Sequence, residues 1–175
     1  MATGSILLTP ASATIPDSST DNVAPLISRL KATLTGADIH HLVAAYDGAG
    51  SVHESLYWTF VMPANYASGG ALKVLGTINS VTGNVAVMQG QVAAITAADA
   101  DTPFEHALST AATVSITANT TEAHRLLSGD ITLNMDSAAA GDLITIRLFR
   151  DPAHASDTHT TDFNFFAAEF SYTTS

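Results

Sequence analysis

The chain contains no cysteine and only six lysine and arginine residues among 175. Without cysteine, disulfides and thiolate metal sites are excluded, and the sequence does not indicate an oxidising or a reducing compartment. The few basic residues stand against sixteen Asp and Glu, so the formal net charge is −10. A chain of this charge lacks the positive surface that holds nucleic acid or an anionic membrane. We therefore expect no direct nucleic-acid partner and no membrane partner.

Long apolar runs are also missing, although hydrophobic residues make up 46% of the sequence. No run approaches the roughly 20 apolar residues of a membrane helix. The first residues, MATGSILLTPAS, lack the basic and long apolar regions of a signal peptide, so export by that route is not expected. Helical stretches between strand-like segments are absent too, which argues against an alternating α/β fold.

Short strand-like segments separated by turn residues fill the chain from residue 39 onward. Their number and spacing predict an all-β fold, a jelly roll or related Greek-key β-sandwich, over residues 36–175. In the last segment aromatic residues fall on both alternating faces, as expected of a strand buried between sheets or at a subunit contact. The predicted core strands are 39–46, 56–62, 72–78, 84–95, 110–117, 123–133, 142–149 and 163–172.

Residues 1–35 are predicted to form an extended N-terminal arm, because Pro10, Pro16 and Pro25 stand among small and polar residues. A short strand over 5–9 precedes the prolines. The arm could lie on its own domain or on a neighbouring subunit, or it could be a frayed terminus. Apolar residues at 26, 27, 30 and 34 favour a short amphipathic helix within it.

The segment 56–75 is predicted to be the centre of the sandwich, because it holds the single tryptophan and a clear alternation of apolar residues. Trp58 and Phe60, together with Phe165 of the last strand, are the predicted aromatic core. Pro63 ends the strand since it cannot donate a ladder hydrogen bond, and Gly69 and Gly70 supply freedom at positive φ.

Several turn and strand-end motifs resemble those of a family of bacteriophage virion proteins with jelly-roll domains. In that family an aromatic strand leads to a P-x-x-Y-x-S-G-G turn and a T-S-G-x-V hairpin. An A-G-D entry follows, into a strand ending in R-D, then an S-D-T loop and a last strand closing in Y. This chain departs from the hairpin pattern, because Val81 and Thr82 stand where the family has Thr-Ser. The resemblance covers about residues 42–172, and the matching residues are Pro63, Tyr66, Ser68, Gly69, Gly70, Thr82, Gly83, Asn84, Val85, Gly141, Asp142, Arg150, Asp151, Ser156, Asp157, Thr158 and Tyr172.

The favoured interpretation of these matching residues is structural, at turns and strand ends. Asp142 beside Gly141 is expected to cap or turn the entry to its strand. Arg150 and Asp151 are expected to tie their strand end to the loop around Asp157 through a charge-assisted contact. Turn and strand-end motifs support a fold more than a role.

The resemblance implies a structural protein of the phage particle. We expect a decoration or cement protein on the outer surface of the capsid, joining neighbouring subunits of the major capsid protein and forming a homotrimer. The alternative is a fibre- or tail-associated module in which Tyr57 or Tyr66 stacks on a cell-surface glycan. Residues assigned to a possible subunit interface are Ile6, Leu7, Leu8, Phe166, Phe170 and Tyr172.

Catalytic and metal motifs are weak. There is no Gly-x-Ser-x-Gly elbow and no phosphate-binding Gly-rich loop, so an enzyme is the third choice, and no catalytic residue and no cofactor is predicted. His154, Asp157 and His159 share one loop and could bind a divalent metal, but their spacing matches no strong metal motif. Asp99, Asp101 and Glu105 likewise lack the ligand order of a calcium loop. Ordinary loop residues are the favoured interpretation of both groups.

Overall fold

The computed structural model describes residues 2–19, 21–31, 39–97 and 106–175, and within these the protein is built from ten strands and one 3-10 turn at Pro10–Ser12. The strands are β1 (Thr3–Leu8), β2 (Leu26–Lys31), β3 (His40–Tyr46), β4 (Glu54–Val61), β5 (Tyr66–Ile78), β6 (Val85–Ile95), β7 (Ala112–Thr117), β8 (Leu127–Thr132), β9 (Leu143–Arg150) and β10 (Phe163–Thr174). No helix in the described ranges has the length and apolar character needed to cross a membrane.

The strands form two antiparallel sheets with jelly-roll connectivity. Sheet A has the order β2-β3-β10-β5-β8, with β1 also paired to β10, and sheet B has the order β4-β9-β6-β7. From β3 to β10 the chain crosses between the sheets at every step except β6 to β7, as in a Greek-key jelly roll. The predicted all-β jelly-roll fold is confirmed.

The core lies between the sheets and contains the predicted aromatic residues. Trp58 and Phe165 are buried, with ring centroids 5.9 Å apart. Phe60 is partly buried and packs on Phe170 across the sandwich, with centroids 5.7 Å apart. Opposing sheets thus meet through tilted aromatic pairs, which favour one relative placement of the sheets.

A β-bulge in β10 changes which of its residues face the core. The pairing with β5 shifts between Phe165 and Ala167, so Phe166 is an extra residue in the ladder. Because one extra residue reverses the alternation, Phe163 and Phe165 before the bulge and Phe170 after it point to the same side. The alternation in the sequence, which puts Phe170 and Tyr172 on the face opposite Phe163 and Phe165, is therefore corrected, whereas Phe166 stays on the outer side of the strand.

The segment before β5 also differs from the prediction. A turn closes after Pro63, whose carbonyl accepts from Tyr66 N at 2.9 Å, and β5 already begins at Tyr66. Gly69 has φ +69°, as expected, but it lies within a strand and not in a loop. The reason is the length of β10, which continues to Thr174 and pairs with Ser68 and Tyr66 through two further register shifts.

The N-terminal residues are integrated into the sandwich at two places. β1 pairs with β10 from Thr3 to Leu8, and the carbonyl of Thr9 accepts a 3.0 Å hydrogen bond from the Trp58 indole. Thr14 then bridges Tyr57 of β4. Leu8 is buried in the core, so this part of the chain covers hydrophobic surface of its own protomer.

The helix favoured within 26–34 is wrong for the described residues. Leu26–Lys31 forms β2, paired antiparallel with β3 from Leu26 opposite Ala45 to Lys31 opposite His40. The free edge of β3 supplies hydrogen-bond partners for the backbone, and this tertiary pairing overrides a weak helical pattern, of which the described residues hold three of the four apolar positions. Position 34 lies outside the described residues.

Candidate ligand-binding face on sheet B

Arg150, matched by the motif comparison, is the centre of a buried structural clamp. The guanidinium donates to both carboxylate oxygens of Asp157, at 3.0 and 2.9 Å. It also donates to the carbonyls of Tyr46 at 3.1 Å, Thr161 at 2.7 Å and His159. Both charged side chains are buried. The clamp fixes the loop 151–162 to the ends of β3 and β9, which agrees with the predicted strand-end contact.

The other matched residues also serve turns and strand ends. Asp142 is buried and accepts from Ala139 N at 2.7 Å beside Gly141, which has φ +91°. Gly83 has φ +71° in the hairpin before β6. Asp151 accepts from Gln89 at 3.2 Å at the other end of β9. These positions organise the backbone and present no reactive group.

Tyr66, one of two tyrosines considered for glycan stacking, is buried against Tyr172 with ring centroids 5.8 Å apart. Its ring has no open face for a sugar, so that assignment is corrected. The cause is the early start of β5, which turns Tyr66 into a strand residue facing the core.

The histidine loop does not assemble a metal site. Asp157 is engaged by Arg150, the His154 Nδ1 accepts from Ser156 N at 3.1 Å, and the His159 Nε2 lies 2.7 Å from the Thr161 hydroxyl. The described ranges contain no group of three or more His, Asp or Glu that could hold a metal ion. Asp99, Asp101 and Glu105 lie outside the described residues.

The residues assigned to a subunit interface separate into two groups. Leu8, Phe170 and Tyr172 are buried within the protomer, so their assignment to an interface is corrected, because the bulge and the pairing of β1 direct them to the core. Ile6 also packs partly on the core. Leu7, 65% exposed, and Phe166, half-buried with its ring 5.2 Å from His41, remain at the surface.

The outer face of sheet B carries an ordered group of polar and aromatic side chains. The registers of β4, β9 and β6 place Tyr57, Arg147 and Gln91 side by side in one cross-strand row. The next row holds Thr59 and Thr145, whose hydroxyls are 3.1 Å apart, and Ala93. We call Tyr57, Thr59, Gln91, Thr145 and Arg147 the candidate face. The side chains of the second row are shorter than those of the first. We call Thr59 and Thr145 the floor of the candidate face.

Arg147 is held in a fixed position at the centre of the candidate face. Its Nε donates to the Ser55 hydroxyl and its Nη1 to the Gln91 side-chain oxygen, both at 3.0 Å. The guanidinium carbon lies 4.2 Å from the centre of the Phe149 ring and 6.0 Å from that of Tyr57. Burial lowers the pKa of Arg147 from its ordinary value, and the tyrosines oppose this shift. The side chain is therefore oriented before any ligand arrives.

Tyr57 is positioned by the N-terminal segment. Its hydroxyl accepts a 2.8 Å hydrogen bond from Asn22 Nδ2, and its backbone pairs with Thr14. The Asn22 side-chain oxygen is buried without a hydrogen-bond partner. The ring is partly exposed and lies beside Thr59 and Thr145 of the second row, of which Thr59 is exposed and Thr145 half-buried. Tyr57 is thus the sequence-proposed aromatic residue that the fold leaves available.

Arg147 and Gln91 were missed by the sequence analysis. A signal for Arg147 exists, because it is the one charged residue in LITIRLF and falls on the face opposite Ile144, Ile146 and Leu148. No sequence signal indicates that Gln91 of β6 is its neighbour, since that depends on the β9 and β6 register.

The fold and the face together define a jelly-roll β-sandwich with a preformed polar and aromatic surface on one sheet. No protein-family model and no curated protein matches the chain. Among solved structures it is similar to CBM35 from Cellvibrio japonicus Abf62, with 12% identity, coverage of 95% of this chain and 92% of that chain, and TM-score 0.45. It is also similar to Caldicellulosiruptor saccharolyticus CBM27-1, solved in complex with mannohexaose, with 7% identity, coverage of 95% and 96%, and TM-score 0.47. Similarities this low say nothing about what this chain binds.

Proposed function

We propose that the protein is a non-catalytic binding module of a phage fibre or tail and that its candidate face binds a cell-surface glycan. The observation that carries the proposal is the row of Tyr57, Arg147 and Gln91 on the outer face of sheet B. A sugar ring offers an apolar face for an aromatic ring and hydroxyls for hydrogen bonds, and this row offers both kinds of partner. The virion location rests on the motif resemblance.

The floor of the candidate face suits a ring lying flat on the sheet. Thr59 and Thr145 project only short side chains beside Tyr57, while the Arg147 guanidinium lies on the other side of the first row, over Phe149. Hydroxyl groups that donate and accept can follow the varied hydroxyl pattern of a sugar. Because Arg147 is already fixed by Ser55 and Gln91, little side-chain entropy is lost when a ligand binds.

A glycan array tests the proposal with the purified chain and with Tyr57→Ala and Tyr57→Phe. We expect binding to a subset of oligosaccharides. Truncation to alanine should weaken it roughly tenfold or more, because the aromatic anchor is lost. The phenylalanine variant keeps the ring and loses the hydroxyl's contacts with Asn22 and Arg147, so it should bind more tightly than the alanine variant.

A matched surface control is Thr113→Ala on β7, whose exposed side chain lies on the same outer face at the edge strand. It should bind like wild type. Urea unfolding of every variant separates lost affinity from lost structure. The proposal is overturned when a folded Tyr57→Ala variant binds as wild type does, or when no glycan is bound by the wild-type chain.

A capsid decoration role is a second candidate. It is favoured by exposed apolar side chains on β1, β2 and β3 of sheet A. Leu7, Leu26 and Leu42 are 65%, 67% and 41% exposed. Leu7 and Leu26 lie on the outer face of sheet A and Leu42 lies on the other face of β3. Exposed leucines of this kind are suited to contact with the major capsid protein or with a second and third copy of this chain. Repeated weak contacts of this kind would act together on a capsid through high effective concentration.

Quantitative mass spectrometry of purified phage particles separates the two candidates. Decoration of the capsid requires copies of this chain comparable in number with the major capsid protein. A fibre or tail module requires only a few copies per hundred capsid subunits. Absence from intact particles contradicts both locations.

A further inference from the structure

Arg147 differs from the other arginine of β9 in its electrostatic partners. Arg150 is neutralised by Asp157. Within the described parts of the chain, the other ion pairs join His53 to Asp151, His106 to Asp136 and Arg125 to Glu122, and none involves Arg147. Its hydrogen-bond partners are the Ser55 hydroxyl, the Gln91 amide oxygen and the Tyr57 hydroxyl, which orient the guanidinium without cancelling its charge.

A partly buried cation without a counter-ion is unfavourable for folding, because part of its hydration is lost. Burial accordingly lowers the pKa of Arg147. The neighbouring outward position of β9 holds an uncharged residue, Thr145. The charge is also scarce, being one of only six Lys and Arg in the chain. An unneutralised, pre-oriented guanidinium is a site for an anion.

The overall negative charge of the protein does not prevent such binding. At physiological ionic strength charges farther than about 8 Å are largely screened, so an anion on the candidate face responds mainly to the nearest groups. On the Phe149 side the Asp151 carboxylate is held by Gln89 and faces His53, whose ring contacts Phe149. The local balance at Arg147 is therefore positive.

We infer that the glycan bound by the candidate face carries an anionic substituent, a carboxylate or a sulfate, that is bound by Arg147. This inference rests on the proposed function and adds the chemical class of the ligand. The sugar ring packs on Tyr57 and lies over Thr59 and Thr145, while its anionic group binds at Nη2 of Arg147, which donates to neither Ser55 nor Gln91.

Isothermal titration calorimetry with paired oligosaccharides tests the inference. One pair is an oligogalacturonate and its methyl ester, and the other is a sulfated galactan oligosaccharide and its desulfated form. The charged member of at least one pair is expected to bind ten times more tightly or better, and the pair that responds identifies carboxylate or sulfate. Raising the salt concentration should weaken only the charged member.

Arg147→Gln should remove the preference for the charged member, whereas Arg29→Gln, a change of equal charge on the exposed part of β2, should leave it intact. Arg147→Lys keeps the charge without the planar geometry and should retain part of the preference for the charged member. If the glutamine variant does not fold, a reduced preference in the lysine variant is the result that supports the inference. Equal binding of charged and neutral members at wild-type Arg147 overturns the inference and leaves the proposed function standing. Absence of binding to every oligosaccharide here and on the array overturns both.

Discussion

At the scale of single residues, the Arg150 clamp explains why a buried charge is tolerated in this sandwich. All five guanidinium N–H groups have acceptors, and Asp157 accepts in addition from Val87 N at 2.8 Å and His159 N at 3.2 Å. Gly48 is part of the same arrangement, since a Cβ there would lie 2.4 Å from the His159 carbonyl oxygen. The loop therefore depends on a complete network, not on the ion pair alone.

Removing one partner of the clamp should be strongly destabilising. Asp157→Ala leaves the buried guanidinium without its counter-ion, so we expect the free energy of unfolding to fall by about 3–5 kcal/mol, measured by urea denaturation. Glu122→Ala, which removes an exposed partner 3.9 Å from Arg125, is the control and should cost less than about 1 kcal/mol. Equal losses in the two variants would contradict the clamp.

His159 should make stability depend on pH. Its side chain is buried with Nδ1 lacking a partner, and burial followed by the charge of Arg150 lowers its pKa from 6.5, against the opposite effects of Asp157 and Asp162. The unfolded chain then binds the proton more tightly than the folded one. The contribution of His159 to the free energy of unfolding is therefore fully present above the pKa of His159 in the unfolded chain. It is lost as the pH falls below about 6.5 and toward the lower pKa of the folded protein.

Urea midpoints at pH 5.5 and 7.5 measure this effect. Wild type should lose more stability between the two values than His159→Gln, which cannot take up the proton. The difference between the two pH dependences is the readout, because other histidines contribute equally to both proteins. Identical pH dependences would show that His159 is not protonated differently in the folded and unfolded states.

At the scale of elements, the bulge in β10 determines which aromatic residues form the core. Phe170→Ala should cost about 3–5 kcal/mol of unfolding free energy, because a fully buried ring is removed. Phe166→Ala removes a ring that is half-buried on the outer face and should cost less than about half as much. Without the bulge Phe166 and Phe170, four positions apart, would lie on the same face of the strand. Similar losses, measured by thermal or urea unfolding, would contradict the bulge.

The positions of the core strands could be predicted from the sequence, because each has enough alternating apolar residues between turn signals. The predicted 142–149 and observed Leu143–Arg150 differ by one residue at each end. The faces of β10 could not be predicted, since a bulge depends on the register with β5 and leaves no distinct pattern in the residues. β2 was missed because its neighbour supplies the hydrogen bonds that decide its conformation.

The candidate face was only partly predictable for a related reason. Tyr57 was identified as an exposed aromatic, and the fold keeps it partly exposed. Its neighbours come from β9 and β6, more than 30 residues along the chain. Nothing local to Tyr57 indicates that Arg147 lies opposite it. The contact between Arg150 and Asp157 was easier to predict, because the two residues are close in sequence.

At the scale of the whole molecule, the two sheets have different outer surfaces. Sheet B presents the candidate face, and the edge of sheet A near β1 and β2 presents exposed leucines. The N-terminal residues connect the two, since β1 extends sheet A while Thr14 and Asn22 support Tyr57 on sheet B. A module with these surfaces could attach to a particle by one and bind a ligand by the other.

Mapping a bound oligosaccharide by NMR tests the central claim most directly. The ¹⁵N-labelled chain is titrated with the tightest ligand from the array while backbone amide shifts are recorded. Saturable shift changes are expected on β4, β6 and β9, greatest near Tyr57, Gln91 and Arg147, with the amides of β1 and β2 unchanged. Saturable changes confined to sheet A or to loops away from these strands would contradict a binding face on sheet B.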